Sequence, residues 1–200
     1  MNVTRRTQAD RTAATRQALL EAARPLFGER GYTDVSTEEI VRRAGVTRGA
    51  LYHQFQDKRA LFRAVIDLVE QEVLTQIAER AGAVDDAPGQ ALRRAIAAWL
   101  DACERPDVQR ILLLDAPVVL GWEAWQEIAQ QYGLGATETL LQAAIDDGVI
   151  APQPVRALAH ILLGALDQAA LYIARAPDRV AARVDMDTVI DHLISGLRAP

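Results

Sequence analysis

The sequence predicts an all-α protein of about nine helices, with a three-helix N-terminal unit joined to a larger C-terminal helical bundle. Three observations support this. Half of the 200 residues are hydrophobic, yet there are only three Phe, four Tyr and three Trp, so the core must be built mainly from Ala, Leu, Val and Ile. Ala and Leu are strong helix formers, and no alternating run of β-branched residues asks for a strand. Apolar residues also recur at helical spacing between Gly and Pro breaks along the whole chain.

Residues 1–11 are polar and carry Arg5, Arg6 and Arg11, which predicts a mobile arm. A first helix follows over about Thr12 to Phe27, with Leu19, Leu20, Ala23 and Phe27 on one face. Gly28, Gly31 and Asp34 should break it, and Pro25 deletes one intrahelical bond, so its last turn should kink or tighten.

The stretch Ser36 to Phe55 then reads as two short helices around a tight turn. Ser36 is a good N-cap, and Glu39 three residues on can complete a capping box. Ile40, Val41 and Ala44 form a small apolar face, and Gly45 is suited to the left-handed position that ends a helix. Thr47 can cap the second helix, which carries Arg48, Gly49, Ala50, Leu51, Tyr52, His53, Gln54 and Phe55. This spacing fits an ordinary helical hairpin as well as a helix-turn-helix. The content of the second helix favours the latter: Arg48 and Gly49 occupy the first turn, where a recognition helix meets base edges. Tyr52 lies one turn on, able to reach a phosphate, while Leu51 and Phe55 form the opposite, buried stripe. The N-terminal arm is then either a plain solvated tail or a basic arm for a flanking minor groove or phosphate.

Gly31-Tyr32, the run Ser36 to Gly45, the segment Val46 to Phe55 and Lys58 together resemble the DNA-binding domain of TetR-family transcriptional regulators, over roughly residues 12–64. The resemblance implies that Thr37, Arg48, Gly49, Tyr52, His53 and Lys58 face DNA, with Tyr52 and Lys58 on phosphates; Thr47, the cap of the second helix, is counted with them. Two positions depart from the family pattern. Gln54 stands where many members carry His, and Pro25 where most have a helix former. The resemblance also implies a homodimer formed by the last two helices and a ligand-gated release from operator DNA.

From Asp57 to about Ala81 the pattern is one long helix, long enough to connect the small unit to the rest. Residues 1–58 are therefore expected to form the DNA-binding domain and 59–200 an effector-binding and dimerisation domain. Gly82 to Gly89 reads as a linker. Helices are then expected at Gln90 to Glu104, at Asp107 to about Leu114, and at Trp122 to about Asp147 with an interruption near Gly133 and Gly135. Val155 to Ala176 is apolar nearly all round, and a last helix spans about Asp185 to Leu197. A helix apolar on every side must be buried on every side. Either it is the central core helix of a monomer, or it joins the last helix (about 155–176 and 185–197) in a two-fold four-helix interface.

Charge is divided along the chain. Residues 1–60 hold eleven Lys/Arg against seven Asp/Glu, a net of +4, and residues 61–200 hold eleven against twenty, a net of −9. A basic lobe on an acidic body fits a DNA reader with a second, non-DNA task. A lone Cys103 excludes an internal disulfide, and neither a signal-like segment nor a run of 18 uncharged apolar residues is seen. A soluble cytoplasmic protein is expected, with no membrane partner.

No catalytic constellation is present. His53, His160 and His192 are scattered, and HExxH, CxxC, GxSxG and phosphate-loop patterns are absent, so neither an enzyme, a cofactor nor a metal site is expected. Trp99, Cys103, Leu113, Trp122, Trp125 and Tyr132 could fill core or line a pocket for an unidentified small-molecule effector. Asp115, His160, Asp167 and Gln168 are the polar residues that stand out against apolar neighbours. Asp167 and Gln168 are either hydrogen-bonded across a dimer axis or ligand contacts, and His160 reads as a satisfied core histidine. The reading that follows is a sequence-specific DNA-binding regulator, a repressor of a near-palindromic double-stranded operator released by a ligand. The alternative is a helical ligand-binding or adaptor protein that keeps the fold without ligand-gated release.

Overall fold

Capping chemistry places the N-terminal helices where the sequence predicts them. In the computed structural model, which describes residues 8–82 and 89–197, α1 spans Gln8–Arg30, α2 Thr37–Ala44, α3 Arg48–Gln54 and α4 Lys58–Ala81. Ser36 Oγ accepts from the Glu39 amide at 3.2 Å, Thr47 Oγ1 from the Ala50 amide at 3.2 Å, and Asp57 Oδ1 from the Ala60 amide at 2.7 Å. Gly45, at φ 67°, turns the chain between α2 and α3, a conformation that costs glycine nothing. Only half of the expected capping box forms: the Glu39 carboxylate turns away to Arg30 Nη1 at 2.5 Å, a charged partner from α1.

The first helix differs from expectation at both ends. Residues 8–11 are helical and not part of an arm; residues 1–7 lie outside the described residues. α1 also runs through Pro25 and Gly28 to Arg30, because Leu26 and Phe27 continue the face already buried by Leu19, Leu20 and Ala23. Gly31, at φ 83°, ends it, its amide donating to the Phe27 carbonyl at 2.9 Å. Against this face Ile40, Leu51, Leu61 and Phe62 are fully buried, with the Phe27 and Phe62 rings edge to face at 5.1 Å.

Five further helices follow, giving nine among the described residues and no β-strand. The expected linker falls mostly in residues 83–88, outside the described residues. α5 is Gln90–Glu104. α6 (106–120) is continuous where a short helix ending near Leu114 was expected. Its middle, Gln109–Asp115, is a π-helix in which Ala116 donates to the Ile111 carbonyl five residues back, and Pro117, with no N–H to place, follows directly. α7 (122–146) likewise holds a π segment, Gln130–Leu134, at the expected interruption. α8 is Val155–Arg175 and α9 Arg179–Gly196. The last helix thus starts six residues before the predicted Asp185. Asp178 caps it, and Arg183 anchors it to α5 through Asp101 at 2.7 Å and Glu104 at 2.5 Å.

α8 is central: it packs on α5, α6, α7 and α9. Among the described residues it is the one helix long and apolar enough to cross a membrane by composition. α1 packs on α2, α3, α4 and α6. The α1–α6 crossing is tight, since a Cβ at Gly28 would lie 2.8 Å from Asp107 Cβ and 3.2 Å from its Cα. Ala in place of Gly gains about 1 kcal/mol of helix propensity, but overpacking a backbone contact costs about 1–3 kcal/mol. Gly28→Ala is therefore expected to lower stability by up to about 2 kcal/mol. Gly135→Ala, where no atom lies within 4 Å of the new Cβ, should raise it by up to about 1 kcal/mol. Denaturant melts of the two variants decide the sign.

Candidate nucleic-acid interface and ligand cavity

α3 buries Leu51, with Phe55 buried just beyond its end, and turns its other side out. Thr47, Arg48, Gly49, Tyr52 and His53 are all exposed, so five of the predicted DNA-facing residues lie together on one surface. Arg48 reaches across to α2, its Nη1 3.1 Å from Glu38 Oε1, and its guanidinium lies 5.6 Å from the Tyr52 ring centroid. Thr37, half-buried at the start of α2, donates its hydroxyl to Glu38 at 3.2 Å. Lys58 is half-buried as the first residue of α4, with Nζ 4.2 Å from the Tyr32 centroid. Burial lowers the pKa of its ammonium, and Asp34 opposes that shift. Arg42 and Arg43 are also exposed, in the last turn of α2. They were not singled out from the sequence, although two adjacent cations preceding Gly45 were a visible signal.

The second site is interior. α4, α5, α6, α7 and α8 enclose a cavity of about 90 Å³. Of the candidates named from the sequence, Trp99, Leu113, Trp125, Tyr132 and Asp167 line it. The other predicted pocket residues are elsewhere. Cys103 is buried outside the lining, and burial pushes its thiol well above the usual value. Trp122, 53% exposed at the start of α7, packs its ring at a tilt against Trp125 from outside, with centroids 4.9 Å apart. Gln168 faces outward, since consecutive helical residues lie about 100° apart. His160 is exposed on the outer face of α8 and is not a core histidine. Asp115, which stood out as polar among apolar neighbours, lies outside the lining, and its Oδ2 accepts the Tyr32 amide at 2.7 Å.

Among the lining residues not singled out from the sequence, the one that carries an ionisable group is Glu70. Its signal was there: Ile66, Glu70, Val73 and Ile77 share one face of α4, and an acid in that apolar stripe is anomalous. Neither Glu70 nor Asp167 has a hydrogen-bond or ion-pair partner among the described residues. Burial pushes the Glu70 carboxyl up to about 8, with Asp167 and Asp67 adding to the shift and Arg63 opposing it. Burial alone pushes Asp167 up to about 7. Three aromatic polar groups differ in satisfaction. Trp125 Nε1 donates to the Leu112 carbonyl at 2.9 Å and Tyr132 Oη to Asp67 at 3.0 Å, whereas Trp99 Nε1 is buried with no partner among the described residues.

α6 joins the two sites. Leu112 and Leu113 form cavity wall, and Asp115 on the same π segment holds Tyr32 at the foot of α1. Arg59 at the start of α4 donates to the Leu120 carbonyl at 2.9 Å. On the other side Arg105 bridges Glu72 at 3.0 Å and Asp107 at 3.2 Å, and Arg24 of α1 pairs with both acids.

Known proteins resemble this chain in sequence and overall fold. The family model described as bacterial regulatory proteins, tetR family, matches residues 19–65, and that described as tetracyclin repressor-like, C-terminal domain, matches residues 89–197. A crystal structure of a TetR-family transcriptional regulator from Pectobacterium atrosepticum is 33% identical and covers 98% of this chain and 99% of that one, with a TM-score of 0.87. The transposon Tn10 TetC protein of Escherichia coli is 28% identical over 158 residues, 78% of this chain and 79% of its own length. The HTH-type transcriptional repressor BepR of Brucella suis is 43% identical over 77 residues, 37% of this chain and 36% of its own. Matched at both ends and superposable over nearly its whole length, the chain belongs to the TetR family and is a DNA-binding transcriptional regulator.

Proposed function

We propose that this regulator is a repressor that binds a near-palindromic double-stranded operator as a homodimer and leaves it when a small molecule fills the cavity. Regulators of the family bind operator DNA and act as dimers, and ligand-gated release is typical of them. In this reading residues 1–58 read DNA, residues 59–200 bind effector and pair the subunits, and the protein works in the cytoplasm beside its operator. Thr37, Thr47, Arg48, Gly49, Tyr52, His53 and Lys58 make the DNA contacts. Gly49 supports this, because a Cβ there would meet nothing of its own chain closer than Thr47 Oγ1 at 3.9 Å. The missing side chain therefore serves close approach from outside.

The observation that carries the gating is the α6 span from cavity wall to Tyr32. A ligand that displaces Leu112 and Leu113 moves the segment whose Asp115 fixes the turn leading into the helix-turn-helix. Shifting such a two-state equilibrium from 1:99 to 99:1 takes about 5.5 kcal/mol of differential affinity. Gel-shift titrations test the interface. Arg48→Ala should cost about 1–3 kcal/mol and relax specificity at one base pair, whereas Tyr52→Phe should weaken all sequences alike. Unchanged affinity and specificity in both variants would rule out α3 as the reading helix.

A further inference from the structure

Two acids enter the cavity from different helices, each on a stripe that is otherwise core. Glu70 stands on α4 among buried Ile66, Val69 and Val73, and Asp167 on α8 beside buried Leu166 and Ala170. An unpaired carboxylate in an apolar chamber is costly, and no Lys, Arg or His among the described residues lines this one. A neutral apolar ligand would leave both carboxyls unsatisfied, and an anion would face two acids. A divalent ion needs several oxygen ligands, and no group of three His, Cys, Asp or Glu that could hold a metal exists among the described residues. An ammonium group supplies both the missing charge and the missing donors. The faces of Trp99, Trp125 and Tyr132 also suit a cation.

Resting on the reading of the cavity as the effector site, we infer that the effector is a small, mainly apolar amine whose ammonium is held by Glu70 and Asp167 while its apolar body fills the tryptophan-lined chamber. The orphaned Trp99 Nε1 adds a detail. A buried donor without an acceptor loses a hydrogen bond, so an ether, carbonyl or ring nitrogen on the amine completes the site. The cavity is smaller than the roughly 150 Å³ that takes a benzene ring. The ligand is therefore compact, or the π segments at Gln109–Asp115 and Gln130–Leu134, which contribute lining residues, give way to it. The groups facing Glu70 are Asp167 from α8, and Asp67 and Arg63 from its own helix, with Cys103 on α5 and Tyr132 on α7 nearby. Because both carboxyls hold protons near neutrality, amine binding releases a proton and tightens as pH rises toward 8.

Calorimetric titration of the whole protein at pH 8 with phenethylamine, phenethyl alcohol and phenylacetate, three solutes of like size and different charge, tests this. Phenethylamine should bind at least about tenfold tighter than the alcohol, and phenylacetate weakest. The Glu70→Gln/Asp167→Asn double variant, which relieves buried charge and so should fold, should lose about tenfold or more for the amine and nothing for the alcohol. Three results would each overturn the inference: no amine binding at millimolar concentration, alcohol or phenylacetate binding as tightly as the amine, or undiminished amine binding in the double variant. Parallel operator shifts separate it from the gating reading. Amine binding that leaves operator affinity unchanged keeps the cation site and removes the gating. Release of operator by the alcohol but not the amine does the reverse.

Discussion

Ile161→Asp and Leu193→Asp are expected to run as monomers in sedimentation equilibrium and to lose operator affinity by a factor of about 10² or more. Both residues lie on the outer face of the molecule, Ile161 72% and Leu193 59% exposed. On α8 the exposed positions Ala157, Ile161, Gly164 or Ala165, Gln168 and Tyr172 recur every three or four residues, and on α9 exposed Val189 and Leu193 stand one turn apart, on the flank away from the α5 contacts of Asp191 and Ser195. Single exposed apolar residues are ordinary, but a stripe along one helix with an apolar pair on its neighbour suits an association surface. Gly164 and Ala165 allow close approach in its centre, and Gln168 is placed to hydrogen-bond a second copy. An isologous pair of such faces gives a four-helix interface. It also joins two weak half-site contacts into one strong one, which is why the expected loss is large. Exposed positions tolerate substitution without unfolding, so circular dichroism should be unchanged. Variants that stay dimeric with full operator affinity would refute this interface.

Glu70→Gln/Asp167→Asn is expected to stabilise the protein by about 2–5 kcal/mol at pH 8 and to leave it little changed near pH 4. In the unfolded chain these groups ionise near 4.5 and 3.8; in the folded protein they hold their protons to about 8 and about 7. Between those limits the native state binds more protons than the unfolded one, so wild-type stability falls as pH rises. The contribution is fully present below the unfolded values and lost by the time pH passes the folded ones. The amides carry no charge and remove the decline. Glu72 runs the other way: the Arg24 guanidinium beside it holds its carboxyl below the usual range, so its contribution is lost on acidification. The difference between wild type and variant isolates the cavity pair. Urea melts at pH 5 and pH 8 that give the same difference would contradict the burial of both carboxyls.

What could be read in the sequence was local. Ser36, Gly45 and Thr47 act within four residues of themselves, so the two short helices and their turn could be placed from spacing, and the residues of the second helix favoured a helix-turn-helix over a plain hairpin. The misplaced features depend on distant partners. Glu39 is taken by Arg30, and the early start of α9 is held by Arg183 against α5. Pro25 and Gly28 stay helical because tertiary burial outweighs propensity. In the interior, Trp99 and Trp125 were foreseeable from aromatic content, but Trp122 lies on the outside because α7 begins there. Asp167 and Gln168 could have been separated beforehand, since neighbours on a helix cannot share a face.

The central claim is that two copies of α3, related by a two-fold axis, read duplex DNA together. Selection of bound sequences from random duplex DNA by the whole protein tests it most directly. The account predicts enriched inverted repeats, with half-site centres about one helical turn, 34 Å, or a multiple of it apart. Enrichment of a single unrepeated half-site, or of no sequence at all, would contradict it.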